Sequence, residues 1–379
     1  MKKLFGLLFI ILVGYFLNCQ KETAPLVKIG VILPLTGDVA TYGQSVKKGL
    51  DIAFGNTDST GFKPIYEDSR ADKKTAINAL EKLFFEQINF FIGDATSSVT
   101  YEIGPRIQAK NGLLIVPIAT GDGIKEIGEN IFMISPRNEK QTGKIARFIK
   151  EQFPGKKLGC FFKQNDYGVN IANTFFSLFD DDVYSQAYQD GQSDFKRSLL
   201  KFQAERIGVV FLPGNYGETA TILRQAKEIN YRAIFIGTDG AYSPDLIELA
   251  GEASEGFLLA MMPVDYESKV YKDFKRLFSQ KYNSEPNIFD CYGYESGLIM
   301  MAAVSASPSH STKDVRTYLQ SQNFESLTGT MHFEKEEKPE RLGWEANRDY
   351  RIYIVKNGKF SPYKWATEIL ERIKTGWKF

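Results

Sequence analysis

Hydroxyl-bearing turns follow two of the short apolar runs in this sequence. Ser97 lies in the turn after Phe90–Ile92, and Thr120 lies in the turn after Leu113–Val116. A helix-like pattern begins just after Ser97, so free backbone N–H groups and the helix dipole would favour an anion at that turn. The two turns therefore predict a place for a small anionic group such as a carboxylate.

A third turn has the opposite charge. Asp239 follows the apolar run Ala233–Ile236 and presents a carboxylate where a cation can sit. In open α/β sheets, ligands bind at the carboxyl ends of the strands, which is where all three turns would lie. Spacing alone leaves ordinary interpretations open, with Ser97 as a helix cap and Asp239 as a turn former.

Residues typical of catalysis are scarce. The chain has two histidines, His310 in a serine-rich turn and His332 in a strand-like segment. His-Glu-x-x-His, Gly-x-Ser-x-Gly and P-loop patterns are missing from the sequence. We therefore expect no enzymatic activity, no metal and no cofactor. An exported hydrolase is the disfavoured alternative, because no nucleophile–histidine pair stands out.

The elements that position these turns follow an α/β pattern. Short apolar runs alternate with amphipathic helix-like stretches, which predicts parallel sheets covered by helices. The 379 residues exceed one typical core, so we expect two doubly wound, Rossmann-like lobes. The strand-like runs are Val27–Leu33, Phe90–Ile92, Leu113–Val116, Leu158–Phe162, Ile207–Leu212, Ala233–Ile236, Phe257–Ala260 and Tyr350–Val355.

The N-terminus has the pattern of an export signal. Lys2 and Lys3 precede the apolar run Leu4–Leu17, which is too short to span a membrane. Cys19 directly after it resembles the lipidated cysteine of bacterial lipoproteins, which predicts a signal peptide over 1–18 and a lipid-anchored tether over 19–26. The alternative is an ordinary signal peptide that ends near a cysteine.

Charge and cysteine content exclude some partners. The 47 basic and 46 acidic residues are nearly balanced and scattered, so we expect no nucleic-acid partner. Cys160 and Cys291 are expected to be small buried hydrophobic residues, although a disulfide is an open alternative in an exported protein.

Several motifs together resemble the leucine/isoleucine/valine-type substrate-binding proteins of ABC transporters. The run Ile29–Gly37, with Tyr42-Gly43 and Gly49, is similar to the opening of that family. The resemblance covers nearly all of 27–335. Its further motifs are Gly93…Ser97-Ser98, Pro117…Ala119-Thr120, Asn165-Asp166-Tyr167-Gly168, Leu223-Arg224-Gln225-Ala226 and Gly237…Asp239-Gly240.

The resemblance implies the type I periplasmic-binding-protein fold, in which two α/β lobes joined by three crossovers close on a ligand by hinge motion. Lobe one is expected at 27–139 and 265–328, and lobe two at 140–264 and 329–360. A C-terminal tail would cover 361–379. The expected crossovers lie near Pro136, Pro263 and Thr328.

The family's roles at matching positions imply an amino-acid ligand. Ser97 and Thr120 would hold its α-carboxylate through hydroxyl and N–H groups. The carbonyl of Ile118 and the carboxylate of Asp239 would take its α-ammonium group. Charge-assisted hydrogen bonds of this kind are the strong ones, and a buried zwitterion needs both.

Aromatic residues would complete the pocket. Tyr167 from lobe two would close over the ligand backbone, and Tyr42 would line the side-chain pocket. The family has one more aromatic residue in its ligand pocket, and the matching position is either Asn215 or Tyr216. Of these two, Tyr216 is the candidate ligand-binding residue.

The resemblance also implies a role. The protein would be a monomeric, lipid-anchored binding protein on the periplasmic or cell-surface side that delivers a small molecule to a membrane-embedded ABC permease. An envelope sensor or a docking activator with the same fold is the alternative. The family commonly has glutamate where Asp239 stands, and a disulfide where Arg70 and Thr96 stand, so the ligand's side chain is left open.

Overall fold

Apolar runs of the sequence form the strands of two sheets in the computed structural model, which describes residues 26–55, 60–179 and 182–364. The expected signal peptide and Cys19 lie outside the described residues, as does the tail beyond 364. The strands, in chain order from β1 to β15, are Val27–Leu33, Phe62–Asp68, Phe90–Gly93, Leu113–Val116, Ile131–Met133, Leu158–Lys163, Tyr184–Tyr188, Val209–Leu212, Ile234–Gly237, Leu258–Met261, Asn323–Ser326, Gly329–Glu334, Trp344–Ala346, Arg351–Lys356 and Lys359–Pro362.

Each sheet is the core of one lobe. The eight-stranded sheet of lobe one has the order β11-β12-β13-β5-β4-β3-β1-β2, and the seven-stranded sheet of lobe two has the order β15-β14-β10-β9-β8-β6-β7. The central strands β3, β4 and β8 are buried at every residue, as expected for sheets covered by helices on both faces.

Helices connect the strands and cover the sheets. In chain order from α1 to α11 they are Ala40–Ala53, Lys73–Phe85, Ser97–Ala109, Asn138–Gln152, Asp166–Ser177, Lys196–Ala204, Tyr216–Glu228, Pro244–Ala250, Lys269–Tyr282, Ile288–Ser305 and Thr312–Ser321. Within the described ranges, no helix is both long and apolar enough to span a membrane.

The fold class predicted from the sequence is confirmed, with one refinement. The sheets are mixed rather than wholly parallel. Strands β14 and β15 add antiparallel to the parallel strands of lobe two, and β12 pairs antiparallel with both β11 and β13 in lobe one.

The expected lobe boundary at Thr328 is wrong. Strand β12 follows it directly, and β13 pairs parallel with β5, so 329–346 extends the sheet of lobe one. The chain crosses to lobe two only between β13 and β14. The expected start of the tail at 361 is also too early, because Ser361 and Pro362 pair with β14 as part of β15.

Buried polar contacts bind the crossovers to one another. The hydroxyl of Tyr350, in the third crossover, donates to the carbonyl of Pro136 in the first at 2.6 Å. Arg348 forms a 2.5 Å ion pair with Glu295 of α10, and both side chains are almost fully buried. A buried pair of this kind is costly to break on one side, so these contacts fix the geometry of the hinge.

Close helix packing positions the lobe-one side of the cleft. A Cβ on Gly49 of α1 would overlap the carbonyl of Asp290 in α10, and one on Gly293 would overlap the carbonyl of Val46. Only glycine permits this approach of the two backbones. Cys160 and Cys291 are buried and unpaired, one in each lobe.

Candidate functional site

A cavity of about 250 Å³ lies between the lobes, at the carboxyl ends of strands from both sheets. This is where open α/β sheets bind ligands. Six of the seven ligand-binding residues predicted from the sequence line it: Tyr42, Ser97, Ile118, Thr120, Tyr167 and Asp239.

Asp239 is a nearly buried carboxylate in this cavity, with 4 % of its surface exposed. It accepts hydrogen bonds from the Tyr167 hydroxyl at 2.6 Å, from the Gln141 amide at 3.0 Å and from the Thr120 hydroxyl at 3.4 Å. Burial raises the pKa of Asp239, and these hydrogen bonds counteract part of the rise. Among the described lysine and arginine side chains, none forms an ion pair with it.

Ser97 joins the two hydroxyl turns of lobe one. It is the first residue of α3, is buried, and accepts a hydrogen bond from the backbone N–H of Gly121 at 3.1 Å. Thr96 does not cap the helix, because its hydroxyl donates to Asp94 at 2.8 Å instead. The N–H groups of the first turn of α3 are therefore available to an anion beside Ser97 and Thr120.

Aromatic rings form one wall. Tyr42 packs edge-to-face against Phe289 and against Tyr216, with ring centroids 5.5 Å apart in each pair. Its hydroxyl donates to the carbonyl of Gly240 in lobe two. Phe289 was not singled out in the sequence, because it is the second residue of a helix almost 250 residues beyond Tyr42 and only the fold brings them together.

The candidate Tyr216 does not line the cavity. Its hydroxyl reaches across the cleft and donates to the carbonyl of Asp38 at 2.8 Å, behind the ring of Tyr42. The neighbouring Asn215 lines the cavity instead. Tyr216 is the first residue of α7 and Asn215 is its cap residue, and adjacent side chains at the start of a helix do not share a face.

A buried lysine lines the same cavity. Lys163, the last residue of β6, is 5 % exposed, and its ammonium group lies 2.6 Å from Asp190 and 2.6 Å from Glu218. Burial disfavours its charge, but the attraction of Glu218 and Asp190 outweighs this and raises its pKa. The apolar pattern predicts a strand that ends at Phe162, and the lysine at the carboxyl end of the observed strand lies one residue beyond it.

The two lobes are in contact across the cleft, so the conformation is a closed one. Besides the Tyr216 bond, Thr41 donates to Asp245 at 2.5 Å and Lys73 pairs with Asp166 at 3.0 Å. These contacts lie outside the cavity, at its rim.

A family model described as periplasmic binding protein matches residues 26–359. The chain belongs to the periplasmic binding protein family. Leu/Ile/Val-binding protein homolog 1 of Brucella abortus is 24% identical over 347 residues, which cover 87% of this binding protein and 93% of the relative. The leucine-, isoleucine-, valine-, threonine- and alanine-binding protein of Pseudomonas aeruginosa is 24% identical over 353 residues and 90% of each chain. The resemblance read from the sequence is confirmed.

Solved structures share the fold. The leucine-binding protein LivK of Thermotoga maritima superimposes with a TM-score of 0.81 at 24% identity, covering 89% of this binding protein and 98% of LivK. An ABC-transporter solute-binding protein of R. palustris in complex with benzoate has a TM-score of 0.78 at 18% identity, covering 89% and 95%. Different ligands therefore occur within one fold.

Proposed function

We propose that this binding protein captures an amino acid between its lobes and delivers it to an ABC permease. The observation that carries the proposal is Asp239, a carboxylate that is buried in the cleft and forms no ion pair with any lysine or arginine in the described part of the chain. Burying such a charge is expensive unless it is matched, and the α-ammonium group of a ligand would match it.

The rest of the cavity fits the other end of an amino acid. The α-carboxylate would accept hydrogen bonds from Ser97, Thr120 and the first turn of α3. The carbonyl of Ile118 would share the ammonium group with Asp239. Tyr167, which already donates to Asp239, would cover the ligand backbone from lobe two.

Capture would follow from closure. A ligand that touches both lobes stabilises the closed form only by its differential affinity for that form. Ser97 and Thr120 belong to lobe one and Asp239 to lobe two, so a zwitterion would meet both of its partners only when the cleft is closed. A permease would then recognise the closed shape.

Attachment to the membrane completes the proposal. Lipidation of Cys19 would hold the monomeric binding protein on the extracytoplasmic face, where its tether would keep it close to the permease. Metabolic labelling with a fatty acid tests this step, because Cys19→Ala should abolish labelling while substitution of the buried Cys160 should not.

A thermal-shift screen tests the capture of amino acids. The full-length chain would be unfolded and refolded to remove any bound ligand, then mixed with each of the twenty amino acids and with benzoate. A ligand at 100 times its dissociation constant stabilises the fold by about 2.7 kcal/mol. We expect an amino acid to raise the melting temperature and Asp239→Ala to abolish the shift. A shift with benzoate alone would contradict the proposal.

A further inference from the structure

Two polar groups of lobe two line the cavity beyond the residues that would hold the zwitterion. Lys163 ends β6, and Asn215 precedes the first turn of α7. They are neighbours, because the backbone N–H of Lys163 donates to Pro213 at 2.9 Å, two residues before Asn215. The ammonium group of Lys163 is also bound to Glu218, three residues after Asn215 and therefore on the same face of α7.

Each of these groups has hydrogen-bonding capacity left. A lysine ammonium group has three N–H donors, and within the described residues its two polar partners, Asp190 and Glu218, use two of them. Asn215 occupies the cap position of α7, but its side chain does not cap the helix and forms no hydrogen bond with another described residue. Its amide can therefore both donate to and accept from a ligand.

From these two residues we infer that the ligand is an amino acid with an uncharged carboxamide side chain, whose oxygen accepts from Lys163 and whose amide group pairs with Asn215. This inference rests on the proposed function and names its substrate class. A purely apolar side chain would leave one proton of the buried Lys163 ammonium group without a partner, and unpaired buried polar groups are costly.

Charge decides between a carboxamide and a carboxylate. The single positive charge of Lys163 already faces two carboxylates at 2.6 Å, so a third anion at the same group would be repelled. Arg70 is the other cationic residue that lines the cavity, but its side chain is 69 % exposed, so solvent screens it. A neutral oxygen can accept from Lys163 without adding to the negative charge.

Calorimetric titration of the full-length chain with L-glutamine, L-asparagine, L-glutamate and L-leucine tests this inference. We expect a carboxamide amino acid to bind most tightly. Lys163→Met should weaken that binding by about 10-fold or more while changing L-leucine affinity by less than about threefold. Lys196→Met is the matched control, because Lys196 pairs with Glu228 at 2.8 Å on the exposed surface of lobe two and should leave all affinities unchanged.

Asn215→Leu is a second variant that leaves the ion pairs of Lys163 intact, and it should also shift preference toward L-leucine. Equal losses for L-glutamine and L-leucine in both variants would mean a merely structural role and would overturn the inference. Tightest binding of L-leucine or L-glutamate by the parent chain would overturn it too, while leaving amino-acid capture in place. If no amino acid binds at all, the proposed function itself fails.

Discussion

Lobe one and lobe two line the cavity with chemically different groups. Lobe one contributes neutral groups, the buried hydroxyls of Ser97 and Thr120, together with the start of a helix. Lobe two contributes both buried charges, Asp239 and Lys163. A ligand held by lobe one alone would therefore have only a neutral carbonyl, that of Ile118, for its cationic group, and a carboxylate would reach that group only on closure.

The contrast between the lobes is tested most directly by neutralising Asp239, the buried carboxylate of lobe two. Asp239→Asn keeps the shape and the acceptor for Tyr167 and Gln141, but it removes the partner of an ammonium group. We expect amino-acid affinity to fall at least about 30-fold by calorimetric titration, since removing one member of a buried charge pair costs several kcal/mol.

The same variant has an opposite effect on stability. Burial raises the pKa of Asp239 in the folded state above its pKa in the unfolded state. The stability that the protonated side chain contributes is therefore fully present below the unfolded-state pKa, and it is lost as pH rises through the folded-state pKa. Ligand-free Asp239→Asn should therefore melt above the parent at pH 8 and show a smaller advantage at pH 4. A lower melting temperature at pH 8 would mean that the carboxylate is structurally required.

Neutral hydroxyls of lobe one should matter less. Thr120→Val is nearly isosteric and removes one uncharged donor, so we expect an affinity loss of about two- to tenfold. Titration with the same ligand measures it, and Thr100→Val is the control, because the hydroxyl of Thr100 donates to the carbonyl of Thr96, the cap residue of its own helix. A loss as large as that of Asp239→Asn would refute the contrast between the lobes.

A smaller effect is expected from a contact that joins the lobes beside the cavity, between Tyr216 and Asp38. Tyr216→Phe keeps the ring against Tyr42 but loses the bond to Asp38 across the cleft. We expect ligand dissociation to accelerate by about two- to fivefold, because the closed form loses this neutral hydrogen bond and a longer one of 3.4 Å between the hydroxyls of Tyr216 and Thr41. In Tyr231→Phe the lost bond, to Ile207, lies within lobe two, so stopped-flow release should be unchanged.

The smallest effect concerns the exposed rim. Lys73 pairs with Asp166 across the cleft, but both side chains are nearly half exposed. Lys73→Ala should therefore change affinity by less than about threefold, and the change should vanish at high salt. Lys82→Ala, which breaks a pair with Glu67 inside lobe one, is the control and should have no effect on affinity.

Several central strands, although not the short buried strand β5, were predictable from the sequence, and the edge strands were not. Val27–Leu33 and Leu113–Val116 match β1 and β4 because buried strands are continuously apolar. Strands β2 and β7 were missed, since each lies at the edge of its sheet and keeps partly exposed residues along most of its length. An edge strand pairs on one side only, so its sequence is less constrained.

For the candidate site, position at a strand end was a good guide, and burial was not. The turns that hold Ser97, Thr120 and Asp239 follow strands, so the topology brings them together. Lys163 also ends a strand, but a lysine is almost never expected inside a protein unless it is paired. Its partners come from 27 and 55 positions further along the chain, at Asp190 and Glu218, and only the fold reveals them.

The late third crossover has a consequence for how the chain folds as it is made. Strand β13 fits between β12 and β5 in one sheet, and β14 pairs with β10 in the other. Neither sheet can therefore be completed until β13 and β14 have been synthesised. Long-range pairing of this kind slows folding. A chain emerging N-terminus first would therefore have both sheets incomplete until these two strands appear.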